Sequence, residues 1–336
     1  MKVFAPGKLI LSGEHAVLYG SPALAMSINR YATATVTQEK SPQVFFDLSD
    51  IAHRSRLSFQ GLRELKNRIK RKYHRFVQGD FTIREVLQKP FELAQFAMSI
   101  FAESFNFTLP HGVKVHVTSD IPVGCGMGSS AATILSVMLA ISHHLNKPLS
   151  NEALLQLALV AENMQHGKSS GLDLHIALRG GCLYVKENEL IERPLPEFSF
   201  YAVNTGSPVS TTGQCVEQVK PYFASQQLKD DFTAVTTTMD MALQQRNMSD
   251  FYEMVHQNHL LLKHIGVVPE KVQHFIAQIE AMQGAAKICG AGAVTGDKGG
   301  VVLVMAEDKA AVALLCQRFG YELMSIAGEK RGVHVL

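Results

Sequence analysis

The sequence lacks a strong excess of charge of either sign, and it lacks a long hydrophobic run. Its 336 residues include 32 lysines and arginines against 30 aspartates and glutamates, a formal net charge of +2. Nucleic-acid binding usually needs a clustered basic face, so this balance indicates no nucleic-acid partner. No segment approaches the roughly 20 continuous apolar residues of a membrane span, so no membrane partner is expected either.

Paired or metal-binding cysteine patterns are also missing. The five cysteines show no CxxC spacing, and their odd number leaves at least one unpaired. Reduced thiols are typical of the cytosol. The N-terminal apolar run is short, is interrupted by Pro6 and Gly7, and is followed by no small-residue cleavage site. Together these features predict a soluble, cytoplasmic protein.

Length and pattern predict two domains. A chain of 336 residues is long for one compact core, and its 46% hydrophobic residues can fill two. Pro194 and Pro196 mark the predicted border, which gives domains of residues 1–190 and 191–336. In the second domain, the order of strands and helices is typical of helices packed on an antiparallel sheet, so the expected class is α+β.

Hydrophobic spacing predicts elements on both sides of this border. A strand is expected at 113–118 and a helix at 130–146, and a second helix, capped by Ser150, should end near Gly167. On that helix, the predicted core-facing residues are Leu154, Leu157, Ala158 and Val160. The other predicted elements are strands at 182–186, 198–203, 285–289 and 300–305, and helices near 226–246, 249–264, 269–282 and after Asp308.

The most informative motif is PVGCGMGSSAA, residues 122–132, between a predicted strand and a predicted helix. Glycines let the backbone approach a ligand, and the free N–H groups of the first helical turn attract an anion. The motif has neither the Walker form nor a GxGxxG fingerprint, so it supports neither a P-loop nor a Rossmann fold. Ser129 and Ser130 could cap the helix or ligate magnesium. Taken alone, such a turn is as often structural as functional.

A second motif, APGKLILSGEHAVLYG, spans residues 5–20. Lys8 and Glu14 lie in its otherwise apolar run, where an unpaired charge would be costly to bury. We therefore expect each of them to have a partner. The alternative is a strand edge on which both charges are solvated.

A pair of carboxylates follows the glycine-rich motif. Eleven positions separate Glu162 from Asp173, and a glycine-containing turn between them can bring both toward one cleft. Kinase chemistry needs such a pair. One carboxylate would hold Mg²⁺ against the ATP phosphates, and the other would face the nucleophilic hydroxyl.

These strings, together with KICGAGA at 287–293, resemble the three signature motifs of the GHMP kinases, and they occur in the same order. Within that superfamily, GEHAV at 13–17 is typical of mevalonate kinases, and 162–173 resembles their E-x-x-x-H-G-x-P-S-G-x-D. The resemblance covers essentially the whole chain. It implies a two-domain α+β fold, with an N-terminal domain similar to domain 2 of ribosomal protein S5 and a ferredoxin-like C-terminal α/β sandwich.

The resemblance also implies roles for individual residues. Asp173 would be the catalytic base, with Lys8 paired to it beside the reacting hydroxyl, and Ser130 and Glu162 would ligate Mg²⁺. The implied acceptor-binding residues are Glu14, His15 and Thr211. The implied nucleotide-binding residues are Lys8, Ser119, Gly124, Cys125, Gly126, Met127, Gly128, Ser129 and Ser130.

The implied activity is ATP- and Mg²⁺-dependent phosphorylation of the C5 hydroxyl of mevalonate in isoprenoid biosynthesis. Homodimers are common in the family, so a homodimer is possible here. Two alternatives stay open: another GHMP kinase acting on phosphomevalonate, a sugar or homoserine, or a ligand-sensing homologue without catalysis. A non-catalytic homologue should have lost Lys8, Glu162 or Asp173, and all three are present.

The sequence departs from the family pattern in three places. Ser169 stands where proline is usual, and Val209 stands where arginine is usual, so another cation must serve if that arginine binds the substrate carboxylate. In the third motif, Gly292 is followed by AVTGDKGG instead of a compact run of glycines. This loop is therefore expected to be longer than in the family.

Two other features have simpler explanations than function. Seven lysines and arginines lie between Arg63 and Arg75, but apolar residues recur among them at helical spacing, so a solvated helix face is favoured over an RNA-binding arm. His256, His259 and His264 lie on a predicted helix without an HExxH pattern or a nearby cysteine ligand, so surface or core histidines are favoured over metal ligands.

Overall fold

The computed structural model describes residues 1–105, 111–187 and 189–336. Its strands are β1 (Lys2–Ser12), β2 (Ala23–Glu39), β3 (Val44–Leu48), β4 (His53–Leu57), β5 (Gly112–Ser119), β6 (Cys182–Lys186), β7 (Glu189–Arg193), β8 (Tyr201–Asn204), β9 (Ala285–Cys289), β10 (Val301–Met305), β11 (Glu322–Ser325) and β12 (His334–Val335). Its α-helices are α1 (Phe59–Val77), α2 (Glu92–Ser104), α3 (Ser129–His144), α4 (Asn151–His166), α5 (Leu172–Arg179), α6 (Thr212–Val219), α7 (Gln226–Gln245), α8 (Met248–His264), α9 (Glu270–Ala281) and α10 (Lys309–Phe319).

The first sheet contains the N-terminal strands. Among the described residues its order is β12-β1-β2-β5-β3-β4, with β6 paired to the first part of the long strand β2 and β7 paired to β6. The β3–β5 pair is parallel, and the others are antiparallel. Every residue of β1 from Ala5 onward is buried, because the strand is covered on both faces.

Helix α3 packs directly on β1 and β2, with α2, α4 and α5 around it. Ala131 and Ala132 in its first turn are fully buried, and such small side chains allow close approach to the sheet. In α4, Ser150 caps the helix as predicted. The prediction that Val160 faces the core is wrong: it is 38% exposed, because the buried stripe runs through Leu154, Ala158 and Ala161.

The second sheet has the order β11-β8-β10-β9 in the part of the chain that is described, and all its pairs are antiparallel. Helices α8 and α9 pack against β9, and α10 packs against β11. The predicted α+β class and the predicted long helices α7, α8 and α9 are confirmed. The strand predicted at 198–203 is shorter and begins only at Tyr201.

The chain ends by returning to the first sheet, in a segment of residues 326–336 that we term the C-terminal strap. Its strand β12 pairs with β1 through Val3 and Val335. The backbone N–H of Glu329 donates to Ser27 O at 2.9 Å, and that of Val333 donates to Ala177 O at 2.8 Å. The division into 1–190 and 191–336 stays a prediction, and any division must accommodate this strap.

The basic segment forms α1, as predicted, but its face is only partly solvated. Lys66 is buried and its Nζ lies 2.5 Å from Glu103 Oε1 of α2, while Arg68 pairs with Glu92 at 2.7 Å. These ion pairs hold α1 against α2. His256 likewise has a carboxylate partner, Glu280 at 2.7 Å, which its sequence neighbours did not reveal.

Two bulk properties complete the fold. No helix within the described ranges is both long enough and apolar enough to cross a membrane. The five cysteines are buried and unpaired, and burial raises the pKa of thiols such as Cys182, to about 12.

Candidate active site

An ion pair joins the first strand to the start of α5. Lys8 in β1 and Asp173 in the first turn of α5 lie 3.0 Å apart, Nζ to Oδ1. The lysine side chain is 5% exposed and the aspartate side chain 29%. Gly171, with a φ of 75°, precedes α5 and permits the sharp helix start that directs Asp173 toward β1. Each charge therefore has the partner that the sequence predicted, and one of the two remains accessible.

The glycine loop of residues 124–128 lies against the same strand. Gly128 has a φ of 73°, and a Cβ there would lie 2.8 Å from Lys8 Cγ, so only glycine fits. The Lys8 N–H donates to Met127 O at 2.9 Å, which fixes the loop on β1. Helix α3 begins at Ser129, and no described side chain caps this end. Its first N–H groups can therefore serve an anion such as phosphate.

Two loop residues expected at the nucleotide have buried side chains. Cys125 Sγ lies 3.4 Å from Asn204 Oδ1, and burial raises the pKa of this thiol, so it stays protonated. Met127 is packed in the core. Any contact of these residues with a phosphate must therefore use the backbone. The Val301 N–H donates to Cys125 O at 3.2 Å, which ties β10, after the third motif, to the glycine loop.

The residues expected at magnesium lie together beside the loop. Ser130 Oγ donates to Glu162 Oε1 at 3.1 Å, and His166 Nε2 lies 3.4 Å from the same oxygen. Burial, and then the charge of Asp173, raise the pKa of Glu162 to about 8. Burial lowers the pKa of His166, so its ring does not supply a compensating charge. Burial therefore favours the neutral form of Glu162, and a bound cation would favour its charged form.

The donor set fits Mg²⁺ better than a transition metal. Glu162 Oε2 is buried and has no hydrogen-bond partner in the described part of the chain, as expected of an oxygen reserved for an ion. Carboxylate and hydroxyl oxygens suit Mg²⁺, which usually takes its other ligands from substrate phosphates and water. No cluster of three His, Cys, Asp or Glu residues suited to a metal occurs among the described residues, so the ion would depend on the phosphates.

A pocket of about 380 Å³ opens next to the glycine loop. Ser119, at the end of β5, lies on its wall, and the Ser119 N–H donates to the carboxylate of Asp50. The pocket is lined by Ser119, Asp120, Ile121, Pro122, Val123, Cys125, Asn204, Gly206, Ser207 and Glu322. Its place between the two sheets, beside the loop, fits the nucleotide side that the resemblance implies.

The residues expected at the acceptor are less exposed. Glu14 forms an ion pair with Lys287 of β9, and both side chains are 0% exposed. Burial raises the pKa of Glu14, while the charge of Lys287 opposes this change. The solvated strand edge considered for Lys8 and Glu14 is therefore excluded. Sequence reasoning missed Lys287, although it is the only charged residue of the strand AAKIC.

His15 and Thr211 are both engaged within the protein. His15 Nε2 lies 3.0 Å from Ala291 O, and burial lowers the pKa of His15 to about 4, so its neutral ring donates to that carbonyl. Thr211 caps α6, where its Oγ1 accepts from Gln214 N at 3.2 Å. The acceptor roles of both residues stay predictions.

Comparisons with known proteins agree with this geometry. Residues 92–181 match the family model described as the GHMP kinases N terminal domain. The mevalonate kinase of Archaeoglobus fulgidus is 30% identical over 290 residues, which is 86% of this chain and 88% of that protein. The mevalonate kinase of Methanocaldococcus jannaschii is 27% identical over 322 residues, which is 94% of this chain and 95% of that protein.

Solved structures share the fold. A crystal structure of the Methanococcus jannaschii mevalonate kinase aligns with a TM-score of 0.81 and 23% identity over 98% of each chain. Lactococcus lactis galactokinase complexed with galactose aligns with a TM-score of 0.75 and 15% identity over 100% of this chain and 95% of that one. The architecture is therefore common to kinases of different substrates.

The family model, the fold and the glycine loop define the class of protein: a GHMP kinase, which is an ATP-dependent kinase of small molecules. The identity to the Archaeoglobus fulgidus protein extends over most of both chains. Within its class, the chain belongs to the mevalonate kinase family.

Proposed function

We propose that this protein transfers the γ-phosphoryl group of ATP to the C5 hydroxyl of mevalonate, a step of isoprenoid biosynthesis. The observation that carries the proposal is the Lys8–Asp173 pair, 3.0 Å apart and directly beside Gly128 of the glycine loop. A hydroxyl placed at Asp173 would face a phosphate held at the start of α3. The relatives named mevalonate kinase support the choice of acceptor.

Asp173 and Lys8 would have different roles at the reacting hydroxyl. Asp173 is the more exposed partner, so the acceptor hydroxyl can reach its carboxylate and give up its proton there. Lys8 is positioned to stabilise negative charge on the alkoxide and on the transferred phosphoryl oxygens. Because the transition state of phosphoryl transfer is loose, the placement of charge contributes more than nucleophilic strength.

Ser130 and Glu162 would hold Mg²⁺, which neutralises phosphate charge when it is bound. Glu162 contributes a full negative charge once the ion is present, and Ser130 orients it by a hydrogen bond. Residues 124–130 would hold the phosphates through backbone N–H groups, and the pocket at Ser119 would take the rest of the nucleotide.

Location and assembly are further parts of the proposal. Five unpaired cysteines support a reducing compartment, the cytoplasm. A homodimer stays a prediction from the family resemblance. The alternative of a non-catalytic homologue finds no support, since Lys8, Glu162 and Asp173 lie within one cluster of contacts.

The test is a coupled assay of ADP release with Mg·ATP and a panel of acceptors: mevalonate, phosphomevalonate, galactose and homoserine. We expect mevalonate to give the highest kcat/KM. Asp173→Asn protein serves as the control that turnover arises at this site. A higher kcat/KM with another acceptor would overturn the substrate assignment while leaving the kinase assignment in place.

A further inference from the structure

The segment after β8 packs against the glycine loop. A Cβ at Gly124 of the glycine loop would lie 3.7 Å from Ser207 Oγ, and Ser207 Oγ donates to Val123 O at 3.1 Å. Two residues farther on, Val209 O accepts a hydrogen bond from Arg84 Nη2 at 2.6 Å. Arg84 belongs to a short 3-10 helix, Ile83–Glu85, of the N-terminal half. The two halves of the chain therefore meet at Arg84.

A second set of contacts leads from Arg84 back to the catalytic cluster. A Cβ at Gly167 would lie 3.8 Å from Ile83 Cδ1, so the neighbour of Arg84 packs on the turn that precedes Asp173. His166, next in the chain to Gly167, has its Nε2 3.3 Å from Ser130 Oγ at the start of α3. These contacts, with the chain segments between them, form a closed ring that includes Arg84, the turn before Asp173 and the glycine loop that packs on Lys8.

The charges on and near this ring are not all paired. Lys8 is paired with Asp173, and Lys287 is paired with Glu14. Arg84 donates to a backbone carbonyl and forms no ion pair with any described carboxylate, so its positive charge is not neutralised. Val209 itself is apolar and contributes only its backbone at this point. Arg84 therefore places a guanidinium without an ion-pair partner among the described residues on this ring.

Two other cations come near the ring, but in different places. Lys298 packs on Gly206, which lines the pocket of about 380 Å³, so it belongs to the nucleotide side. Lys168 follows Gly167 and is exposed, without a hydrogen bond or an ion pair among the described residues. Arg84 differs from both because its hydrogen bond to Val209 O fixes the guanidinium in place.

We propose that Arg84 binds the carboxylate of the acceptor substrate. The inference rests on the proposed function, since mevalonate is a carboxylate whose reacting hydroxyl lies at the other end of the molecule. A guanidinium has five N–H donors in a planar fork, so the bond to Val209 O leaves donors free for a carboxylate. The reacting hydroxyl of the acceptor would lie at Asp173, and its carboxylate would lie at Arg84.

The test compares Arg84→Gln and Arg84→Lys with the wild-type protein, using mevalonate and its neutral primary amide as acceptors. Arg84→Gln should raise the mevalonate KM about tenfold, the loss expected for a hydrogen bond to a charged group. The KM of this variant for ATP and its KM for the amide should each stay within about twofold of the wild-type value. Binding of ATP does not involve the acceptor carboxylate, and the amide has no carboxylate. Arg84→Lys should lie in between, since it keeps the charge but loses the fork.

Arg71→Gln is the matched control, because Arg71 is an exposed cation of α1 without an ion pair among the described residues. It should leave every KM unchanged. Equal losses for mevalonate and the amide in Arg84→Gln would overturn the proposal, because Arg84 would then act only through Val209. A raised mevalonate KM in Lys168→Gln but not in Arg84→Gln would also overturn it.

The same measurements separate this proposal from the proposed function. Wild-type protein that releases no ADP with mevalonate overturns the function and the acceptor assignment together. Wild-type protein that is active, with an unchanged mevalonate KM in Arg84→Gln, overturns the role of Arg84 alone. Thermal denaturation of each variant identifies a loss that is due to unfolding.

Discussion

Two ion pairs lie on the same N-terminal segment, and they differ in access. Lys8–Asp173 leaves the aspartate 29% exposed, whereas Glu14–Lys287 is sealed at 0% exposure on both sides. A substrate hydroxyl can reach an accessible carboxylate, whereas a sealed pair is placed to hold two parts of the chain together. The acceptor role of Glu14 stays a prediction. The comparison teaches that two ion pairs of one apolar motif can differ in access, and that only the accessible pair is open to a substrate.

The largest effect should come from breaking the accessible pair. Asp173→Asn preserves volume but removes the base, so we expect kcat to fall by at least about 10²-fold, the lower range for losing a positioned base. ATP binding, measured by calorimetry, should persist. Because the two residues act as a unit, Asp173→Asn combined with Lys8→Met should lose far less than the product of the single losses. If folded Asp173→Asn protein keeps a near-normal kcat, the Lys8–Asp173 pair is only a structural contact.

Breaking the sealed pair should affect folding instead. Lys287→Met leaves the Glu14 carboxylate without its partner, and we expect the free energy of unfolding in urea to fall by about 3 kcal/mol, the usual order for one partner of a buried pair. Adding Glu14→Gln should restore part of the loss. The contrast would be refuted if Lys287→Met lost turnover in folded protein but kept its unfolding midpoint.

His15, the residue after Glu14, links the stability of this buried region to pH. Burial lowers the pKa of His15 to about 4 from an ordinary value of 6.5, so in this interval the unfolded state binds a proton that the folded state does not. Stability should therefore fall as pH decreases from about 6.5 to about 4. His15→Gln should flatten this dependence in urea titrations at several pH values. The pKa of His259 is also lowered to about 4, so His259 should contribute separately to the pH dependence of stability. If His15→Gln leaves that pH dependence unchanged, His15 is not its cause.

The smallest effect is expected at Thr211, outside both pairs. Thr211→Ala removes the cap of α6 and should cost about 1 kcal/mol of stability. If Thr211 also binds the acceptor, this variant should raise the mevalonate KM, or lower kcat, with little change in the KM for ATP. Thr211→Ser keeps the capping hydroxyl and is the control. An effect confined to ATP would assign Thr211 to the nucleotide.

Local patterns predicted the elements around the site well, because strand alternation, helix caps and glycine turns act over a few residues. Ser150 and Asp308 cap helices where the sequence placed them. Partners far apart in sequence could not be predicted in this way. Glu14 and Lys287 are 273 positions apart, and the contact depends on how the second sheet packs on the first. The Arg84–Val209 hydrogen bond spans 125 positions and has the same origin.

The resemblance contributed what spacing could not. Asp173 was identified by motif, while its position depends on α5, a helix of eight residues that periodicity did not predict. Short helices carry too few turns for a hydrophobic stripe to be recognised. At Val160 the spacing of apolar residues predicted burial where there is none, because an apolar residue on a helix can lie outside the buried stripe and remain exposed.

The C-terminal strap has a consequence for the order in which the protein is made. Strand β1 carries Lys8, and its Val3 pairs with Val335 of its outer neighbour β12. At ordinary rates of synthesis, residue 335 follows residue 3 by on the order of half a minute. The outer edge of β1 therefore stays unpaired while the residues between the two strands are synthesised, and the first sheet gains β12 only afterwards.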